Sequence, residues 1–395
     1  MKDHNKPFIV AASRTPMGQF NGCFKNTPAP VLGAIAIQGL IPNRLSTEIP
    51  IDQVIMGCVL SAGLGQAPAR QASLLANLPV STPCVTINKM CGSGMQSVIQ
   101  ACDAISAGSS RAVIAGGIEN MTQAPYLLKK ARDGYRLGSG TLFDHMMLDG
   151  LEDAYQPGKP MGYFAEECAE MHEITREQQD AFALASLERA LQAHKLGYFK
   201  NEINPVVVKD RKNVYTIETD ENPTRAKPDK IPTLKPVFKE NGTITAANAS
   251  SIADGAATVL VASSSFTDHH GLKPMAKIVA HHTHAHEPAW FTTAPITAIK
   301  EVIQKANWSL GDVDLFEINE AFAVVTLAAM KSLKLPHEKI NVNGGACALG
   351  HPIGASGARI IVTLVHAMQQ RGLKKGVAAL CIGGGEATAL AIEMI

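Results

Sequence analysis

Residues 85–101, VTINKMCGSGMQSVIQA, predict a buried strand, a tight turn and an apolar helix in direct succession. The strand covers 85–90, the turn covers 91–94, and the helix begins at Met95. A thiol at Cys91 would therefore lie against unpaired backbone N–H groups and the positive end of the helix dipole. Both interactions favour the thiolate that a cysteine nucleophile requires. A buried structural cysteine is the alternative, which the flanking glycines disfavour because they let a substrate approach closely.

Two glycine-rich segments near the C-terminus supply further reactive groups. Residues 341–357, NVNGGACALGHPIGASG, place His351 on a loop that leads into a helix predicted for roughly 358–370. An apolar strand at 377–381 then delivers Cys381 into a glycine turn. A cysteine, a histidine and a second cysteine, each on a glycine-rich loop at the end of an element, suit a nucleophile, its base and a second acid or base.

Five ordered motifs resemble those of the thiolase family. They are NKMCGSG (88–94), TAANAS (245–250), NEAF (319–322), GHP (350–352) and CIGGG (381–385). The similarity extends from VAASRTP (10–16) to the last strand. The resemblance implies an α/β fold of two duplicated βαβ halves stacked as αβαβα layers, with an inserted lobe that covers a coenzyme A site.

The resemblance also implies the reaction. Cys91 would carry an acyl group taken from a thioester, and His351 would accept the thiol proton, since imidazole can hold a proton near neutral pH. Cys381 would abstract the α-proton of a second acyl-CoA, or return it during cleavage. Negative charge on a thioester oxygen requires preorganised donors. The family provides one pair as a water held by Asn319 with the Nε2–H of His351, and another as the backbone N–H groups of Cys91 and Gly383.

Five further positions correspond to coenzyme A contacts of the family, and Ser250 among them matches a serine near the pantetheine arm. Arg225 has no such match, but it lies in the polar part of the lobe and could meet the phosphates. The apolar positions of the same channel are Met161, Phe238, Ala246 and Phe322. Core packing is the alternative role for such apolar residues, and a solvated surface position is the alternative for Arg225. Coenzyme A thioesters are substrates, so we expect no cofactor and no catalytic metal.

The sequence also predicts an internal duplication. Strand–loop–helix–strand units occur in both halves, and their continuous apolar strands are typical of parallel sheets covered on both faces. We expect one half to comprise 1–121 plus 249–272 and the other to comprise 273–395. Residues 122–248 would form the inserted lobe.

The lobe contains two helical patterns, from Met161 to Glu173 and from Arg176 to Leu196. Thr175 precedes the second pattern and is followed three residues later by a glutamine, which together predict a capping box.

Composition makes other classes of partner less attractive. The 395 residues carry a net charge of +1 with 18% charged residues, which gives no reason to expect nucleic acid binding. Eight cysteines without a CxxC pattern indicate reduced thiols in a cytoplasmic protein. The polar start, 1–7, does not fit a secretory signal, and no apolar run reaches the roughly 18 residues that a spanning helix needs.

Several local patterns have competing interpretations. Alternation along 281–286, HHTHAH, puts three histidines on one strand face, where they could bind zinc, but no Cys, Asp or Glu interleaves them. GLG at 63–65 weakly resembles a dinucleotide loop, and a structural loop is favoured because the third glycine is absent. Cys347 is interpreted as a packed small residue. Glu119 and Glu320 are expected to support the motifs through hydrogen bonds.

The motifs together favour an acetyl-CoA C-acetyltransferase, which condenses two acetyl-CoA molecules to acetoacetyl-CoA and CoA. A 3-ketoacyl-CoA thiolase of fatty-acid degradation is the alternative, because Pro160 and Phe291 replace residues usual in acetoacetyl-CoA-forming members. A non-catalytic lipid-binding relative would lack Cys91, His351 or Cys381, and a decarboxylating ketosynthase would lack the second cysteine. Family habit suggests a homodimer or homotetramer, with no membrane partner.

Overall fold

Two copies of one strand order form a single mixed sheet. The computed structural model describes residues 5–40, 49–210 and 213–395. The strands in these ranges are β1 (Pro7–Arg14), β2 (Gly18–Gln19), β3 (Gln53–Gly57), β4 (Cys84–Ile87), β5 (Ala112–Asn120), β6 (Tyr126–Leu128), β7 (Leu142–Asp144), β8 (Val206–Asp210), β9 (Asn213–Ile217), β10 (Ala253–Ser263), β11 (Ala276–Ala285), β12 (Leu315–Ile318), β13 (Lys375–Ile382) and β14 (Glu386–Met394). The α-helices are α1 (Ala29–Gln38), α2 (Pro68–Leu75), α3 (Ser93–Ala107), α4 (Met161–Met171), α5 (Arg176–Lys195), α6 (Glu221–Arg225), α7 (Ser264–His269), α8 (Ala294–Lys305), α9 (Ala323–Leu333), α10 (Ala346–Leu349) and α11 (Ile353–Arg371).

The strand order confirms the predicted duplication. The main sheet runs β12-β13-β14-β11-β1-β10-β5-β3-β4, with β2 pairing to β10. One copy therefore reads β3-β5-β10-β1, the other reads β12-β13-β14-β11, and the pair types match position by position. The copies meet where β1 and β11 pair antiparallel, with Phe8 opposite Lys277. The sheet is mixed rather than wholly parallel, because β10 and β14 run antiparallel to their neighbours.

Helices α3 and α11 occupy the centre of the fold. They pack against each other and against strands from both copies. Every residue of α11 from Ile353 to Met368 is buried, as expected of a helix with neighbours on all sides. Helices α1 and α2 cover the outer face of one half-sheet, while α8 and α9 cover the other. The resulting order of layers is αβαβα, as the family resemblance implies.

Strand β4 ends three residues before its predicted end. It stops at Ile87, because Met90 adopts a left-handed backbone conformation (φ = 46°) that cannot continue a strand. Helix α3 then begins at Ser93. Cys91 therefore lies in the turn two residues before the helix.

Helix α11 begins at Ile353, five residues before its predicted start. Gly354 and Gly357 led to the prediction of a loop here. The structure explains the presence of both glycines by close packing. A Cβ on Gly357 would lie 2.3 Å from the backbone nitrogen of Met95 in α3, and one on Gly354 would lie 2.7 Å from a carboxylate oxygen of Glu119. Gly357 therefore lets α11 approach α3 and Gly354 lets it approach β5, and neither glycine interrupts the helix.

The two copies differ most between their third and fourth equivalent strands. Residues 121–252 connect β5 to β10 and contain α4, α5 and α6, whereas 383–385 alone connect β13 to β14. The predicted capping box of α5 is confirmed, because Thr175 and Gln178 exchange hydrogen bonds with each other's backbone N–H groups. The exact limits of the halves and the lobe stay predictions. Residues 1–4, 41–48 and 211–212 lie outside the described residues. The first of these segments begins the predicted first half and makes up most of the predicted polar start.

All eight cysteines are free, as their spacing predicted. Among the helices of the described ranges, none combines the length and apolar character required to cross a membrane.

Candidate active site

Cys91 lies between the two halves of the fold. The backbone N–H groups of Gly383 and of Cys91 itself reach its Sγ, so the turn after β13 contacts the turn before α3. Burial raises the pKa of the Cys91 thiol to about 11, and it outweighs the two N–H groups, which lower it. The N–H groups therefore favour the thiolate, as predicted, but the loss of solvent outweighs them, so Cys91 needs a base.

Cys381 lies at the end of β13, beside Cys91. Its burial, followed by the proximity of Cys91, raises the pKa of the Cys381 thiol well above its usual range. Both cysteines are consequently thiols in the free protein at neutral pH. The structure thus brings together the two cysteines and Gly383, which lie far apart in the sequence.

His351 has the geometry of a general base. Its Nδ1 lies 2.6 Å from Oγ of Ser356, whose hydroxyl donates to the carbonyl oxygen of Pro352 at 2.9 Å. Because that hydroxyl proton is already used, Nδ1 of His351 carries a hydrogen and donates it to Ser356. The buried Nε2 has no partner among the described residues and presents a lone pair. Burial and then the charge of Arg359 lower the pKa of the imidazole to about 3, so the ring is neutral.

Asn319 presents an unused donor. The residue is fully buried, and its backbone N–H donates to the carbonyl of Ala379 at 2.9 Å. Nη2 of Arg359 lies 3.5 Å from Oδ1 of Asn319, while Nδ2 has no hydrogen-bond partner in the part of the chain that the structure describes. A buried amide donor normally has a partner, so Nδ2 has the capacity to bind a water or a substrate oxygen. Arg359 is itself held 3.6 Å from the buried Glu317.

The N-terminal ends of α3 and α11 abut. A Cβ on Gly94 would lie 2.7 Å from the backbone nitrogen of Ala358, so only glycine fits between the helices. Cys91 and His351 each precede one of these helices by two residues. The duplication therefore places the loop of the nucleophile and the loop of the histidine side by side.

Two buried carboxylates hold these loops, as predicted. Glu119 accepts N–H bonds of 2.9–3.1 Å from Val59, Leu60 and Gly354. Glu320 accepts from Ser186, Asn341 and the backbone of Cys347 at 2.7–3.0 Å. Each carboxylate thus accepts several hydrogen bonds, which fits the supporting role expected of it, although burial raises the pKa of both groups.

Three predicted substrate-contact residues belong to the apolar cluster that includes Cys381. These residues are Met161, Phe238 and Phe322, and the two phenylalanine rings pack edge to face with centroids 6.1 Å apart. Ser250 lies next to Phe322, because its backbone N–H donates to the carbonyl of Ala321 at 2.9 Å. The structure thus brings these four positions into the same region of the fold as the second cysteine.

The other two predicted contacts lie on a separate cleft of about 340 Å³. Ala246 is part of its wall, and Arg225 lies at the same cleft with two lysines, Lys227 and Lys230. The Arg225 side chain is 63% exposed and pairs with Glu221 at 2.7 Å. It has the solvated character considered as the alternative.

The competing patterns have structural explanations. The histidines of 281–286 lie on β11, where His281 contacts Asp103 at 3.0 Å and the rings of His284 and His286 pack 5.2 Å apart. No cluster of three or more potential metal ligands was found in the described part of the chain. The 63–65 loop is closed by the side-chain amide of Gln71, which donates to the carbonyls of Leu64 and Gln66 at 2.8 Å. It is a structural loop, as predicted.

Sequence reasoning missed four supporting side chains. Ser356 and Arg359 follow His351 by one and two helical turns, and this spacing within the quoted motif was the available signal. The ion pair of Lys89 with Glu386 had no such signal, because 297 positions separate its members.

Known proteins are similar to this chain over nearly its whole length. The family described as thiolase, N-terminal domain, matches residues 7–265, and thiolase, C-terminal domain, matches 272–394. An acetyl-CoA acetyltransferase of Chromobacterium violaceum is 49% identical over 98% of both chains. A solved Acat5 thiolase from Ascaris suum in complex with coenzyme A is 42% identical (TM-score 0.92, 99% and 100% coverage), and human mitochondrial 3-ketoacyl-CoA thiolase is 40% identical (TM-score 0.94, 99% and 100% coverage).

Proposed function

This chain belongs to the thiolase family, and we propose that it is an acetyl-CoA C-acetyltransferase, which reversibly condenses two acetyl-CoA molecules to acetoacetyl-CoA and CoA. One observation carries the proposal: two neighbouring cysteine thiols, Cys91 and Cys381, meet two backbone N–H groups at the Cys91 sulfur. A transferase that acylates one thiol and uses a second as acid and base requires this combination.

The first half-reaction transfers an acetyl group to Cys91. The sulfur attacks the thioester carbon of acetyl-CoA as Nε2 of His351 accepts the thiol proton. Charge on the carbonyl oxygen is stabilised by the N–H groups of Cys91 and Gly383. As the bond from carbon to the sulfur of CoA breaks, the departing thiolate takes a proton from Cys381. The products are acetyl-Cys91, free CoA, a protonated His351 and a Cys381 thiolate, so the protons balance.

The second half-reaction forms the carbon–carbon bond. The Cys381 thiolate abstracts an α-proton from a second acetyl-CoA, and the enolate oxygen receives hydrogen bonds from the Nε2–H of His351 and from a water held by Asn319. The enolate carbon attacks acetyl-Cys91, acetoacetyl-CoA leaves, and the Cys91 sulfur recovers its proton from His351. The unpartnered Nδ2 of Asn319 supports its role as the donor to that water.

We assign the substrate arm to the residues around the two sites. The apolar cluster of Met161, Phe238 and Phe322 would contact the pantetheine arm, with Ser250 beside it. The phosphates would approach the basic cleft, where Ala246 contributes to the wall and Arg225, Lys227 and Lys230 supply positive charge.

A 3-ketoacyl-CoA thiolase of broader chain length is the second candidate, favoured by the likeness to the human mitochondrial enzyme. Against it, Phe291 is buried in the same apolar cluster as Cys381, where a bulky ring would shorten the acyl pocket. Pro160, the other unusual residue, immediately precedes α4 and suits the start of a helix.

Chain length is tested by measuring kcat/KM for CoA-dependent thiolysis of acetoacetyl-CoA and of longer 3-ketoacyl-CoAs. We expect a steep fall beyond four carbons and a more even profile for Phe291→Ala. Phe182→Ala is the matched control, since Phe182 is equally buried but stacks on His337 outside the cluster. A flat profile for the unmodified enzyme would assign the second candidate.

We further propose a cytoplasmic homodimer or homotetramer acting in lipid metabolism. Light scattering of the purified chain distinguishes these assemblies from a monomer. Cell fractionation tests the location.

A further inference from the structure

The oxyanion hole of the proposed reaction is assembled from two separate turns. One donor, the N–H of Cys91, belongs to the turn before α3, and the other, the N–H of Gly383, belongs to the turn between β13 and β14. The turns are in direct contact, since a Cβ on Gly92 would lie 2.3 Å from Cδ1 of Ile382. The distance between the two donors therefore depends on how firmly the turns are held together.

The second turn has little rigidity of its own. It consists of three glycines, and Gly384 and Gly385 both adopt positive φ angles (96° and 85°). Glycine has the largest conformational freedom of any residue, so such a turn has a high entropic cost of ordering. Contacts from outside the turn must offset that cost at Gly383.

An ion pair joins the turns at their outer ends. Nζ of Lys89 contacts a carboxylate oxygen of Glu386, the first residue of β14. Lys89 is fixed at its backbone, where its N–H donates to Oγ of Ser93 at 2.8 Å, and Glu386 is fixed by its pairing with Ile382 across the turn. The side chains are only 22% and 33% exposed, so solvent screens the pair less than a fully exposed one.

We propose that Lys89 and Glu386 are positioning residues that hold the Cys91 and Gly383 donors at the separation required for the reacting oxygen. Neither side chain takes part in the chemistry. The role of this ion pair in turnover rests on the proposed function. The separation of the two N–H donors is also a property of the resting site.

The test compares Lys89→Met, Glu386→Gln, their double variant and the charge-swapped Lys89→Glu/Glu386→Lys protein. We expect each single variant to lower kcat for acetoacetyl-CoA thiolysis by roughly three- to tenfold, with KM within about twofold, because a lost half-buried pair mainly affects the transition state. The double variant should be no slower than either single one, and the swapped protein should recover most of kcat. Glu170→Gln, which removes a surface pair with Lys239, is the matched control and should leave kcat unchanged.

A second readout is independent of the acyl-transfer activity. The rate of alkylation of Cys91 by iodoacetamide, followed by mass spectrometry of its peptide, should fall in the single variants, since Gly383 no longer stabilises the thiolate as well. A protein without thiolase activity would still report this change, so failure of the proposed function is distinguishable from failure of the pair.

Three outcomes would overturn the proposal: an unchanged kcat in both single variants, losses that multiply in the double variant, or a swapped protein no faster than the single variants. Lys89→Arg keeps the charge and guards against general instability. It should retain most of kcat, and a loss as large as that of Lys89→Met would count against the pair.

Discussion

Replacing Ser356 by alanine tests the most specific feature of the site, the orientation of His351. The Ser356 hydroxyl is the acceptor for Nδ1–H of His351 at 2.6 Å, and it leaves Nε2 as the lone-pair nitrogen. Without it, the buried Nδ1–H has no partner, which costs about 1–3 kcal/mol. The ring can escape that cost by moving its hydrogen to Nε2, where it blocks acceptance of the thiol proton.

That free energy corresponds to roughly a 5- to 150-fold slower acylation of Cys91. Rapid quenching followed by intact-mass measurement of the acetyl-enzyme would give the rate, and the KM for acetyl-CoA should change little because Ser356 is buried beneath the histidine. Ser97→Ala is the control for stability alone. Ser97 is equally buried in α3 and donates to the carbonyls of Gly94 and Gly116 at 2.7 and 2.8 Å.

An acylation rate within twofold of the unmodified enzyme would show that Ser356 does not set the tautomer of His351. Equal losses in the Ser97→Ala and Ser356→Ala proteins would attribute the effect to helix packing instead.

Three further predictions address the other groups of the site. Cys381→Ala should form acetyl-Cys91 by mass but fail to condense acetyl-CoA, and retained condensation would contradict the assignment of the second thiol. Because burial raises the pKa of the Cys91 thiol to about 11, its alkylation by iodoacetamide should accelerate about tenfold per pH unit between pH 7 and 10; a plateau below pH 9 would be inconsistent with a buried thiol. Below pH 6.5 the unfolded chain protonates His351 while the native state, with a pKa of about 3, does not, so native stability falls with acidification by about 1.4 kcal/mol per pH unit from this residue. The difference in urea-unfolding free energy between His351→Asn and the unmodified protein should follow that slope from pH 6.5 to 4, and a constant difference would exclude a buried neutral ring.

The positions of the reactive groups could be predicted from the sequence because each follows a strongly patterned element. Cys91, His351 and Cys381 all lie on glycine-rich turns beside apolar runs, and such turns mark the ends of strands and helices. Proximity of these turns then followed from the family resemblance.

The electrostatics could not be predicted in the same way. The state of Cys91 depends on its burial, which a helix-start pattern does not reveal and which outweighs the predicted effect of the backbone N–H groups. The start of α11 was placed too late, because Gly354 and Gly357 disfavour a helix by propensity, and only their close packing against β5 and α3 shows why they occur there. Lys89 and Glu386 are brought together solely by the tertiary fold.

The antiparallel meeting of β1 with β11 has an evolutionary consequence. Equivalent strands that pair antiparallel are related by a twofold axis, as are the two subunits of a symmetric dimer. The central helices lie on either side of this axis. Two identical ancestral subunits would have presented the same residues twice around that axis. Once both copies belonged to one chain, each was released from that identity, so one copy could specialise in carrying the acyl group while the other acquired the proton-handling side chains.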